Sequence, residues 1–203
     1  MKIFKSVKTF ATISAFSVLP LHATKMWCNS ELLQDQFILT DSISPKGCTS
    51  SCLLASAPSS DIYINTEMKK ATIVVDLSKN YLYKYDSNGN PTEVFLVASG
   101  KKSTPTDTGI RIVSHVETYP YRNASKATKR RRNPKAYGPK IIILNKLNPT
   151  NGEQSSCGEF IHGNNDPSSI GKYASLGCIR MDNEVIKELS KQVKRGDIVK
   201  IIK

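Results

Sequence analysis

A cysteine and a histidine carry the clearest chemistry in this sequence. Cys178 lies in Ser175-Leu176-Gly177-Cys178-Ile179-Arg180-Met181, and His162 follows the short strand-like segment Glu159-Phe160-Ile161 and precedes Gly163. A thiol becomes a strong nucleophile when its proton is removed. An adjacent guanidinium, a helix N-terminus and an imidazole able to accept the proton all lower a thiol pKa. Arg180 stands two positions after Cys178, and a helical pattern begins just beyond it. Gly177 allows a sharp turn, and Gly163 leaves room for backbone or substrate beside the imidazole. The backbone N–H groups of Gly177 and Cys178 are candidates for an oxyanion hole, so the chemistry expected is acyl transfer through a thioester.

The same residue types have other uses. A zinc site built from Cys157, His162, Cys178 and His115 is the structurally different alternative, but the spacings match no familiar metal pattern and there is no Cys-x-x-Cys pair. A papain-like hydrolase places its cysteine before its histidine, whereas here His162 comes first.

Positioning such a pair requires a rigid frame, and the frame expected is mostly β. Residues 72–77, 81–85 and 93–98 are β-branched or aromatic runs. The gap at 86–90 contains Asn88-Gly89, a hairpin turn signal, because such turns need positive φ angles. Residues 110–117 alternate apolar with polar side chains, and 140–144 form a continuous apolar run of buried-strand length. One helix is predicted from 183 to about 193, with Val185, Ile186, Leu189 and Val193 on one face and Asp182 or Asn183 as its N-cap. Residues 197–202 return to strand, and no internal repeat is visible.

The rest of the chain bounds the setting. Of 203 residues, 39% are hydrophobic and 23% charged, which is enough apolar material for one core of ordinary size and excludes a wholly disordered chain. No apolar run approaches the roughly 20 residues of a membrane-spanning helix, which excludes a polytopic membrane protein. Lys2, Lys5 and Lys8 precede an uncharged stretch ending at Ala23, the layout of a signal peptide over 1–23, so the chain is expected to be exported. Residues 24–70 read as a Ser-rich extension containing Cys28, Cys48 and Cys52, and residues 71–203 as the catalytic domain.

Without the three leader lysines, 26 basic residues face 17 acidic ones, an excess of nine. Between Glu117 and Glu153 there are no acids and nine basic residues: Arg122, Lys126, Lys129, Arg130, Arg131, Arg132, Lys135, Lys140 and Lys146. The whole excess therefore sits there. A nucleic-acid patch conflicts with export, so no nucleic-acid partner is expected. A dense like-charge run forms a solvated loop, and over Arg122 to Lys140 such a loop could attract an anionic envelope polymer or lipid surface.

The sequence from His162-Gly163 to Ser175-Leu176-Gly177-Cys178-Ile179-Arg180-Met181 resembles the catalytic signature of the L,D-transpeptidases, the YkuD-type family of bacterial cell-wall enzymes. Ile73-Val74-Val75-Asp76-Leu77-Ser78 with Tyr81-Leu82-Tyr83 resembles that family's first hairpin, and Ser103-Thr104-Pro105-Thr106-Asp107-Thr108-Gly109 its threonine-proline segment. The resemblance covers about 71–203 and implies a β-sandwich with one packed helix after the cysteine motif and, with the export signal, a place in the periplasm or cell envelope of a bacterium. It implies that Cys178 attacks a peptidoglycan stem tetrapeptide after the L-centre of its third residue, expelling D-Ala, and that a second stem amine then forms a 3→3 cross-link or water leaves a shortened stem. His162 is then the general base, a backbone carbonyl near Ser175 orients its ring, and Gly163, Ser175, Gly177 and Arg180 shape the site. No metal or organic cofactor is implied. A non-catalytic wall-binding module would have no need of the Cys-His-Arg set. Three positions depart from the family pattern: Leu176 where His is frequent, Asp107 where a second proline is usual, and Val185 where an acid often stands.

With Cys178 as nucleophile, Cys28, Cys48, Cys52 and Cys157 make an even number, which permits two disulfides in an oxidising compartment and leaves their pairing open. His115 has no sequence partner and is expected to be a surface or satisfied residue. Tyr119, Pro120 and Tyr121 are candidates for a groove wall or for core packing, and Asn123-Ala124-Ser125 matches a glycosylation sequon without consequence in a bacterium.

Overall fold

The computed structural model of the chain describes residues 49–118 and 134–203. The leader over 1–23, Cys28, Cys48, residues 119–121, the sequon at Asn123 and the basic run from Arg122 to Arg132 lie outside the described residues.

The chain runs α1 (Ser50–Ala55), β1 (Asp61–Ile64), β2 (Glu67–Lys70), β3 (Ile73–Asp76), β4 (Tyr81–Tyr85), β5 (Pro91–Leu96), β6 (Ser99–Gly100), β7 (Gly109–Thr118), β8 (Lys140–Leu147), β9 (Gln154–His162), β10 (Tyr173–Ser175), β11 (Ile179–Arg180), α2 (Asn183–Gln192) and β12 (Ile198–Ile202). Eight strands form one sheet in the order β11-β9-β8-β7-β12-β3-β4-β5, while β1 pairs with β2 and β6 with β10. The fold is mainly β with one packed helix after the cysteine motif, as the sequence pattern requires.

Apolar side chains leave both faces of the central strands. On β3, Ile73 and Val75 join one buried cluster and Val74 the other; on β12, Val199 and Ile201 face the first and Ile198 and Ile202 the second. A strand covered on both sides reads as a continuous apolar run, which is why 73–75 and 140–144 show no alternation. The first cluster is closed by Ile186 and Leu189 of α2, and the second by Ile62 and Ile64 of the β1–β2 hairpin. The Tyr85 hydroxyl anchors the approach to that hairpin by donating to the Pro58 carbonyl.

The sheet curls until its ends meet. β5 and β11 stand at opposite ends of the strand order, yet Ala98, just past β5, exchanges both backbone hydrogen bonds with Arg180 on β11, each 2.8 Å. The segment 98–100 is thereby fixed between β11 and β10, the two strands that flank Cys178.

Local signals act much as their chemistry suggests. In the β4–β5 turn, Asp86 Oδ1 accepts the N–H groups of Asn88 at 2.9 Å and Asn90 at 2.8 Å, and Gly89 alone of the Asn88-Gly89 pair has positive φ, +86°. Asp182 is the N-cap of α2, accepting from Glu184 at 2.8 Å and Val185 at 3.3 Å. Val185, where an acid could have completed a capping box, packs against the core instead.

Candidate active site

β9 ends with Ile161 turned into the core and His162 on the opposite face, because successive strand residues alternate. β11 runs parallel beside it, pairing Ile179 with Ile161 and Arg180 with His162. Cys178, one residue before β11, is therefore brought alongside Phe160, whose backbone N–H faces the thiol. Its Sγ lies 4.0 Å from the Gly158 carbonyl. The strand register thus puts Cys178 and His162 on one face of adjacent strands, a diagonal step apart.

His162 is 4% exposed. Its Nδ1 lies 2.5 Å from the Gly163 carbonyl, which can only accept, so Nδ1 carries the proton and Nε2 is left as the acceptor. The carbonyl that orients the ring is thus that of Gly163, not one near Ser175. Burial pushes the His162 pKa down to about 4; the Gly163 bond opposes this and the Arg180 charge adds to it. Tyr137, at the end of a 3₁₀ turn over Pro134–Tyr137, covers the imidazole with ring centroids 4.9 Å apart and meets Phe160 edge-on at 6.4 Å.

The expected lowering of the Cys178 pKa is not what the site provides. Burial pushes the thiol up, and Glu159 and Cys157 push the same way, against the Phe160 N–H and Arg180, which lower it. At neutral pH the two groups are therefore a thiol and a neutral imidazole.

Of the two uses expected of Gly163, room for backbone or for substrate, close packing within the chain is the one the structure shows. A Cβ there would lie 2.3 Å from Asn183 Oδ1 and 3.0 Å from Gly138 Cα, and a Cβ on Gly138 (φ +62°) would meet the same oxygen at 2.3 Å. The position a Cβ would take is filled by the Asn183 amide, the Gly138 backbone and the Pro139 ring. Asn183 Oδ1 meanwhile accepts the Asn164 N–H at 2.9 Å, and the buried Asn164 donates its amide to the Met181 carbonyl at 2.6 Å.

The turn that leads into Cys178 is closed by Ser175. Its Oγ donates to the Cys178 carbonyl at 2.5 Å and accepts the Gly177 N–H at 3.1 Å. Gly177 adopts φ +117°, which only glycine reaches without strain. Its N–H is spoken for, so of the two amides expected to form an oxyanion hole, that of Cys178 remains the candidate. Leu176 stands at the apex of the turn, 72% exposed.

Sequence reasoning missed one buried ion pair. Arg111, 2% exposed, makes a two-pronged contact with Glu159 and donates to the Asp107 carbonyl at 3.2 Å, linking β7, β9 and the threonine-proline segment. A signal was present: Arg111 is in phase with the buried Val113 in an alternating strand. Tyr137 was also missed, and nothing in its neighbourhood marks it before the fold is known.

The remaining expectations divide. His115 is half-exposed on β7, its ring between Ser114 Oγ at 3.1 Å and Glu117 Oε1 at 3.2 Å. Among the described residues, no three His, Cys, Asp or Glu side chains converge on a metal position. Cys157 is a free thiol whose Sγ donates to the Leu144 carbonyl at 3.3 Å, so it is not joined in either of the two disulfides that the cysteine count permits. Of the basic cluster, Lys140 donates to Thr118 Oγ1 at 2.7 Å and Lys146 pairs with Asp107 at 3.1 Å.

Residues 70–201 match the model of the YkuD L,D-transpeptidase catalytic domain. The putative L,D-transpeptidases YkuD of Bacillus licheniformis and Bacillus subtilis are 56% and 54% identical over 41 residues, 20% of this chain and 25% of theirs. The chain thus matches about a quarter of the length of these curated relatives. Among solved structures, Bd1075 of Bdellovibrio bacteriovorus is similar at a TM-score of 0.51 and 21% identity, over 72% of this chain and 53% of that one. The catalytic domain of an E. faecium L,D-transpeptidase gives 0.45 and 24%, over 67% and 99%.

Proposed function

Since this chain belongs to the YkuD family of L,D-transpeptidase catalytic domains, we propose that it is an exported, cysteine-dependent acyltransferase that joins peptidoglycan stem peptides by 3→3 cross-links. The observation that carries the reading is the Nδ1 to Gly163 carbonyl bond, which leaves the His162 Nε2 as a bare acceptor on the strand beside Cys178.

In this reading the substrate's amide carbonyl approaches Cys178, the Sγ proton passes to His162 Nε2, and sulfur bonds to the carbonyl carbon. The oxyanion that forms is met by the Cys178 N–H. The imidazolium protonates the departing nitrogen, D-Ala leaves, and a thioester remains on Cys178. A stem side-chain amine then attacks the thioester, gives its proton to Nε2, and releases the thiol with the new amide. The guanidinium of Arg180, half-buried beside both groups, suits a substrate carboxylate, and the buried imidazole stays neutral and ready throughout the physiological range. Export rests on the basic, apolar and small-residue layout of 1–23, and attraction to an anionic envelope surface on the basic run.

Incubating purified protein with a stem tetrapeptide and measuring intact mass tests the acylation. A thioester adduct on Cys178, free D-Ala and a cross-linked dimer are expected, and Cys178→Ala should abolish all three with the fold intact. Release of D-Ala with a shortened stem and no dimer would assign water as the acceptor. An adduct mapping to Cys157 would exchange the roles of the two thiols.

A further inference from the structure

The threonine-proline loop lies against the nucleophile turn, and its hydroxyls have fixed directions. Thr106, 7% exposed, accepts the Gly100 N–H on Oγ1 at 2.9 Å. That leaves its single hydroxyl proton for the Gly177 carbonyl, 2.8 Å away. Thr104 Oγ1 donates to the Ser175 carbonyl at 3.2 Å, where the Lys101 N–H also donates at 3.1 Å. The loop is pressed so closely onto β6 that a Cβ on Gly100 would fall 2.3 Å from the Thr104 carbonyl and 2.5 Å from the Thr106 nitrogen.

A trans peptide points its C=O and N–H in opposite directions. The Gly177 carbonyl and the Cys178 N–H belong to one peptide unit, so a hydroxyl that captures the carbonyl aims the N–H away from the loop. Ser175 Oγ already occupies the Gly177 N–H. We propose that Thr106 is a positioning residue for acyl transfer: by holding the Gly177 carbonyl it aims the Cys178 N–H at the developing oxyanion. Thr104 is its weaker companion, since the Ser175 carbonyl keeps the Lys101 donor without it. This deepens the acyltransferase reading and rests on it.

The test compares two reactions of the same thiol in the full chain. Acylation by an activated ester, p-nitrophenyl acetate, passes through a tetrahedral oxyanion whatever the natural substrate; alkylation by iodoacetamide forms none. Removing one oxyanion donor costs roughly 100- to 1,000-fold, and for a donor left in place but misaimed we expect Thr106→Val to slow acylation by about 10- to 100-fold. Alkylation should change by less than about twofold, Thr106→Ser should restore acylation, and Thr104→Val should lose about threefold at most. If Thr106→Val does not fold, Thr106→Ala supplies the same comparison. Equal loss in both reactions, unchanged acylation, or a larger effect at Thr104 than at Thr106 would overturn the proposal. Ester acylation that behaves as expected alongside no reaction with stem peptide would leave Thr106 in its role and overturn the substrate assignment instead.

Discussion

The centre of the sheet and the corner that holds Cys178 are built on different physics. Around β3, β12 and α2, Ile73, Val75, Ile186, Leu189, Val199 and Ile201 are buried without a polar partner among their side chains, held by non-directional apolar burial. At the corner, the side chains that matter are hydroxyls, amides and an imidazole, each held by a hydrogen bond, and Gly100, Gly138 and Gly163 sit where a Cβ would strike backbone or Asn183. The centre depends on volume and the corner on direction. A volume error relaxes over many neighbours, whereas a directional error falls on the one bond that points the reacting atom.

The largest expected effect on stability comes from the centre. Leu189→Ala deletes a fully buried side chain facing the sheet and should cost about 2–5 kcal/mol in chemical denaturation, while kcat of the folded fraction stays near wild type. Lost activity at full folding would mean that the centre also positions the site.

Gly163→Ala should do the reverse. It adds one methyl where Asn183 Oδ1, the Gly138 backbone and the Pro139 ring already lie, so the carbonyl that orients His162 must move. Displacement of about 1 Å at a reacting group costs on the order of 100-fold, and a loss of that size in kcat is expected with a smaller change in midpoint than for Leu189→Ala. Kinetics and urea titration on the same preparation decide between these.

Acid should separate the regions by a third route. The folded His162 pKa is pushed down to about 4 from 6.5. The unfolded chain therefore takes up a proton that the folded chain refuses as pH falls below about 6.5. The associated stability is fully present above the unfolded value, declines as pH falls, and is gone below about 4. The whole term is about 3 kcal/mol. Urea titrations between pH 7 and 4 should show this slope, and His162→Asn should remove it. A slope unchanged in that variant would place the titration elsewhere. Activity of the folded protein should instead hold across most of that range and fall only as pH nears about 4, where the folded imidazole takes up its proton.

The smallest effect expected is at Arg180. Replacing it by Gln removes a charge that lowers both the His162 and the Cys178 pKa, so the acid limb of the activity profile should move up and the alkylation profile of the thiol should move to higher pH. Movement of only one would show that the guanidinium faces a single partner.

Much of this protein was legible in its sequence. Strand runs, the Gly89 turn and the capped helix are local in origin: they follow from side-chain shape, periodicity and short turn and cap signals, and a short motif with the family signature singles out Cys178 and His162. Ile62 and Ile64 left a period-two signal that the Ser-rich texture around them obscured, although both are buried beneath the sheet. What the sequence could not supply depends on which peptide units face each other. That Gly163 rather than the turn near Ser175 orients the imidazole, that the Gly177 N–H is taken by Ser175 Oγ, that Tyr137 covers His162 and that Arg111 meets Glu159 are consequences of strand register and sheet curl. The direction of the Cys178 pKa shift belongs with them. Sequence names the charges near a thiol, but the desolvation that outweighs them exists only once the sheet has closed around it.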